Sequence, residues 1–368
     1  MAYKSIDELQ TLLSQEIFKD RLDNKKAAGR ALGTFIEIIV YYLLRQWGEN
    51  DSIAIESPLS EYGREEITHN VEFTLHPICE LSPTIKVPKT VPLTAHQIAN
   101  RINLSDTYDV TTKKMINKGF LQNACVIATN SEQLVLTQLD SNEDDNITLH
   151  TCTLSKRPYA MIECKRVGKE GDAKGPQTIE KAKQGAYVAK TTSMLQKVRN
   201  DKGELNGIYF VDGVVYSGPY DEVLAHIINS DSQLLLRDFT LSIGVVSNHG
   251  NWFTSGNQNK EMKVLAQSYD WLLFLTDDGL AQFITDLLCT PQKEYQSVKE
   301  AFLESYCTTS SNSFTKKAMR VDTHFALCKY FSKNVDQIEQ WFNIISPEKA
   351  SINDLKQTLS TLKNKTWR

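Results

Sequence analysis

Between Ile147 and Ser247 the chain alternates strand-like runs with helical stretches, a pattern that points to an α/β fold with a sheet flanked by helices. Residues 147–154 and 159–167 read as two strands joined by the turn Ser155-Lys156-Arg157-Pro158. A helix is expected from Pro176 to about Arg199, with proline near its first turn where the missing N–H costs nothing. A strand at 207–211, a helix over Tyr220–Asn229 and a strand over Leu241–Ser247 follow. The chain after Glu261 is mostly helical in pattern, apart from a Ser/Thr-rich link at 308–315, and there is no internal repeat.

Upstream, Ala28, Ala31, Leu32, Phe35, Ile36, Ile38 and Ile39 follow helical spacing within residues 24–47 and predict a buried helix face, with Glu37 inside that crowded stretch. Short strands are expected at 52–56 and 70–76, then a proline-bearing connector at 82–92. A hydrophobic fraction of 41% in 368 residues suits a globular protein of two or three domains. The longest wholly apolar candidate, 36–44, is too short for a membrane span, and the N-terminus lacks the apolar core of a secretory signal, so no membrane is expected. The 7 cysteines are irregularly spaced with no CxxC pair, which favours a reducing cytoplasm over disulfides or a zinc site.

Net charge is −4, yet residues 86–121 hold six Lys or Arg against two Asp, and residues 153–200 hold eleven against four. Two basic islands in an acidic chain suit localised contacts with a polyanion, although ordinary solvated surface gives the same count. Around the first island, helical spacing at Ile98, Ala99 and Ile102, a turn at 103–105, a second helix ending at Lys118-Gly119 and strands at 125–129 and 134–139 are expected. That order, and the wording Lys113-Lys114-Met115-Ile116-Asn117-Lys118-Gly119-Phe120-Leu121, resembles a winged helix-turn-helix, with a turn about one residue shorter than the usual pattern. The resemblance implies that Thr107, Tyr108 and Thr111 face base edges while Lys113 and Lys114 meet phosphates.

The triplet Glu163-Cys164-Lys165 differs from other acid-x-Lys triplets in the chain by lying inside a strand. Alternation puts Glu163 and Lys165 on one face, with Ile162 and Cys164 on the other. A carboxylate can hold a divalent cation that polarises a phosphate and acidifies water, and a neighbouring ammonium can stabilise charge on the phosphate. A second carboxylate is needed. If 147–154 and 159–167 form a hairpin turning near 155, Asp145 comes level with Lys165, while Asp144, Asp140 and Glu72 remain competitors.

Here the chain resembles the PD-(D/E)xK nucleases, in particular type II restriction endonucleases, with Asp144 standing where the family has proline. The residues from Gly175 to Gln184 resemble the helix that flanks the sheet in those enzymes, and Glu37 resembles their N-terminal glutamate beside the metal. The resemblance implies a catalytic set of Asp145, Glu163, Lys165 and Glu37, and Mg²⁺ at Asp145, Glu163 and Cys164. It also implies an α/β restriction endonuclease-like core. Residues 1–85 and 141–290 would form that core, 86–140 a DNA-binding insertion and 291–368 a helical C-terminal region. The expected activity is Mg²⁺-dependent, sequence-specific cleavage of double-stranded DNA, by a homodimer with a companion DNA methyltransferase acting at the same site. Two alternatives are a winged-helix regulator with a degenerate nuclease domain and a repair nuclease of the same superfamily.

Overall fold

The dense apolar spacing of residues 27–44 produces the longest helix, Asn24–Gln46, with thirteen of its side chains buried. In the computed structural model, which describes residues 6–19, 22–88, 91–143, 146–166, 179–247, 260–308 and 313–367, this is the one helix long and apolar enough to cross a membrane by length and composition. Most of its apolar window, 72%, is buried inside the fold, as in the core helix of a globular protein. The chain divides into two units, each assembled from three separate segments.

The first unit comprises Met1–Ile55, Ile78–Arg157 and Asp277–Trp341. In it the Asn24–Gln46 helix packs on Val321–Glu339. Phe18, Phe35, Phe283, Phe302 and Phe314 meet with ring centroids 5.3–6.2 Å apart. A five-stranded antiparallel sheet runs in the order Ile78–Pro88, Asn146–Ser155, Gln133–Glu143, Cys125–Thr129, Asp109–Val110. The expected 125–129/134–139 hairpin is present, with Thr129 opposite Leu134.

Three expectations are corrected in this unit. The second helix of the winged helix-turn-helix does not form. Helix Ala95–Arg101, capped by Thr94 and Gln97, is followed by strand Lys114–Asn117, which turns through Lys118 (φ 51°) and Gly119 (φ 79°) into strand Phe120–Gln122. Two successive left-handed residues make a two-residue hairpin turn, so the glycine that reads as a helix stop is a strand reversal. The 82–92 connector is largely strand: Ile78–Pro88 lies at the sheet edge, and Pro83 falls at a register shift between Ser82–Thr151 and Ile85–Leu149, where a missing N–H is tolerated. Finally, 147–154 does not pair with 159–167. Asn146–Ser155 lies between Gln133–Glu143 and Ile78–Pro88, because Lys156 N–H bonds Glu132 and Tyr159 N–H bonds Leu75, which opens the joint instead of closing it.

The second unit comprises Glu56–Pro77, Pro158–Thr276 and Phe342–Arg368. Its mixed six-stranded sheet has the order Ile53–Glu61, Arg64–Leu75, Ala160–Arg166, Leu241–Ser247, Trp271–Leu275, Phe342–Ser346. Ala160–Arg166 is antiparallel to Arg64–Leu75 and parallel to Leu241–Ser247. The mixed α/β architecture expected from the alternating pattern is therefore present. Trp271–Leu275, five buried residues in a row, is a parallel strand inside a stretch that reads as helical, since a short apolar run has no period to separate the two. The helix expected to reach Arg199 spans Ile179–Thr191, and Gln196–Arg199 is strand. Thr191 and Thr192 hydroxyls bond back to carbonyls of the preceding turn at 3.1–3.5 Å, competing with its continuation. That helix packs Ala186, Val188 and Ala189 on Met161, Val246, Leu265 and Tyr269.

Candidate active site

Strand alternation sets Met161, Glu163 and Lys165 on the sheet face covered by the Ile179–Thr191 helix. The ladder to Arg64–Leu75 ends at the Ile162–Phe73 pair. One step further Glu72 comes opposite Glu163 on the same face. There the three polar side chains converge: Lys165 Nζ donates to Glu163 Oε2 at 2.9 Å and lies 3.6 Å from Glu72 Oε2. Glu163 is buried and Glu72 nearly so, with side-chain exposures of 5% and 13%, while Lys165 keeps 25%. Burial pulls the Lys165 ammonium down, but Glu163 and Glu72 together outweigh it and hold the pKa above its ordinary value.

The back of the cluster is tightly built. Gly244, paired with Glu163 across the parallel ladder, lies under the ring of Tyr269, and a Cβ there would stand 2.7–2.9 Å from three ring atoms. Gly185 brings the helix so close that its Cβ would lie 2.5 Å from Tyr269 Oη and 3.5 Å from Glu163 Cγ. Burial, then the neighbouring Glu163 charge, push the Tyr269 phenol well above its usual pKa, so it stays protonated beside the carboxylate. Lys197 fixes the same residue from behind by donating to the carbonyls of Tyr269 and Ala266. Tyr269 has no signature in the local sequence, because only the parallel pairing brings residue 269 to Glu163.

The other expected residues fall elsewhere. Asp144 and Asp145 lie outside the described residues. The hairpin that brought Asp145 to Lys165 is replaced by the pairings above, and Asn146, next to it, pairs with Glu143 and Pro88 in the first unit's sheet. Cys164 is buried, and alternation turns its side chain to the sheet face opposite Glu163. Glu37 belongs to the first unit, where Lys316 Nζ donates to it at 2.9 Å.

With no reading helix, the residues expected to contact DNA take other roles. Thr107 bonds Ser105, and Tyr108 Oη donates to Gln133 at 2.6 Å. Thr111 N–H bonds the Ile127 carbonyl at 2.8 Å, while Lys113 and Lys114 are exposed beside or within strand Lys114–Asn117.

Among the described residues the cluster brings two carboxylates and one ammonium together. Two carboxylates on adjacent strands are hard oxygen donors of the kind that fit Mg²⁺. No family model matches the chain, and neither the curated proteins nor the solved structures contain a significant match.

Proposed function

We propose that this protein is a Mg²⁺-dependent phosphodiester hydrolase acting on double-stranded DNA, with Glu72, Glu163 and Lys165 as its reacting groups. The observation that carries the reading is that Glu72 and Glu163, on adjacent antiparallel strands, share Lys165 where their ladder ends. This resembles the acid, acid-x-Lys arrangement of the PD-(D/E)xK nucleases, and Glu72 would take the place that the sequence leaves open among four candidates. Glu72 and Glu163 would hold the ion, which when bound neutralises phosphate charge and acidifies water. Lys165 would turn its ammonium to a phosphate oxygen, stabilising the charge that develops there. Tyr269, protonated and close to Glu163 under the same helix, would help to close the back of the site.

The restriction-enzyme form of the reading adds a fixed target sequence, two copies for two strands and a companion methyltransferase; the repair-nuclease form has none of these. One experiment tests the activity and separates the forms: supercoiled plasmid incubated with Mg²⁺, then with excess EDTA, followed by mapping of the products. Cleavage that EDTA abolishes, and that falls at least about a hundredfold in Glu163→Gln and in Glu72→Gln, is expected. Discrete fragments support a sequence-reading enzyme, and scattered products support a structure-reading one. Full activity in Glu163→Gln refutes the site.

A further inference from the structure

The first unit holds a second constellation of different chemistry. Ligand atoms of Asp51, His150 and Cys152 all lie within 4.8 Å of one another. His150 and Cys152 occupy alternate positions of strand Asn146–Ser155 and so share a face. Asp51 comes from the turn that leads into strand Ile53–Glu61, and that turn is anchored. Arg45 Nη1 donates to Gln138 Oε1 at 3.0 Å, the Gln138 amide donates to the Asn50 carbonyl, and Asn50 Nδ2 donates to Asp51 Oδ1 at 2.6 Å. His150 Nε2 stands 2.5 Å from Asp51 Oδ1, and its Nδ1 lies 4.0 Å from Asp140. Cys152 is fully buried in a cluster with Leu134, Leu136 and Leu154, whereas Asp51 and His150 keep 29% and 15% exposure and leave an approach from solvent.

We propose that Asp51, His150 and Cys152 bind a zinc ion through a carboxylate oxygen, Nε2 and Sγ, with water in the fourth position. A mixed oxygen, nitrogen and sulfur donor set suits a borderline-soft ion and is wrong for Mg²⁺. Arms of about 2.0–2.3 Å in a tetrahedron set ligand atoms roughly 3.3–3.7 Å apart. The Asp51–His150 contact must therefore open by about 1 Å, a distance that side-chain rotation of the half-exposed aspartate supplies. The ion displaces the thiol proton of Cys152, which goes to solvent, and takes the Nε2 lone pair of the neutral imidazole, whose one proton then sits on Nδ1. Asp140 stands on the side of Nδ1, where a carboxylate orients a metal-bound imidazole. The site is independent of the nuclease reading, because the three residues and Glu163 belong to different units.

The test uses the full chain, stripped of metal by chelation and titrated with cobalt(II) alone. One equivalent should give a thiolate-to-cobalt charge-transfer band in the near ultraviolet, displaced by zinc. Asp51→Asn and His150→Ala should weaken cobalt binding at least tenfold, Cys152→Ser should lose the band, and Glu163→Gln should leave it unchanged. No band in the wild type, or a band that survives Cys152→Ser, overturns the proposal. If the buried serine variant fails to fold, Asp51→Asn decides alone, and unchanged cobalt affinity in it overturns the site.

Discussion

On the proposed reading Lys165 would have two tasks, which measurement can separate. Without an ion it is the countercharge of two largely buried carboxylates, and removing it leaves them facing each other. Lys165→Met should therefore destabilise the metal-free protein by about 1–3 kcal/mol. Added Mg²⁺ should then raise the melting temperature of Lys165→Met more than that of the wild type, while cleavage stays lost. An equal or smaller Mg²⁺ shift in the variant would mean that the carboxylates do not hold the ion. At this scale the sequence is informative about two of the three polar residues of the cluster. Two-residue periodicity within one strand aligns Glu163 with Lys165, whereas Glu72 comes from a strand 91 positions earlier in the chain, and no local pattern states which strands pair.

The element that shapes the cluster is helix Ile179–Thr191, held close by the absence of a side chain at Gly185. Gly185→Ala puts a methyl 2.5 Å from Tyr269 Oη, so either the helix lifts or the ring moves onto Glu163. A cost of about 1–3 kcal/mol is expected, with reduced cleavage. Adding Tyr269→Phe removes the clashing oxygen, so the double variant should recover most of the lost stability in a thermodynamic cycle. Strict additivity would show that the two residues do not meet. Periodic elements such as Asn24–Gln46, Tyr220–Asn229 and Leu241–Ser247 were legible because each satisfies its own spacing. Residues 113–121 were not: Met115, Ile116 and Leu121 fit a helix face as well as a hairpin, and only the pair of left-handed residues at 118 and 119 distinguishes them.

For the molecule as a whole, the two units should respond to opposite ends of the pH scale. His324 is buried in the first unit with Tyr42 Oη 2.8 Å from Nδ1, and burial followed by the Arg45 charge holds its pKa well below 6.5. Below pH 6.5 the unfolded chain takes up a proton that the folded state refuses, so stability falls with pH, and His324→Asn should flatten that slope in melting curves. Lys197 of the second unit is pulled down to about 8 by burial, against the opposing pull of Asp270 and Asp221. Between about pH 8 and the ordinary lysine range the unfolded chain holds the extra proton, so this group adds stability as pH rises, and Lys197→Met should remove the gain.

The interleaving of the units also fixes an order of events during synthesis. Glu72 leaves the ribosome 91 residues before its partner Glu163, and the edge strand Phe342–Ser346 of the same sheet follows later still. Neither unit can be released by a single proteolytic cut, since each is entered three times by the polypeptide. A nascent chain stopped anywhere before residue 342 thus lacks a strand of the six-stranded sheet, and the sheet is complete only after Ser346 has emerged.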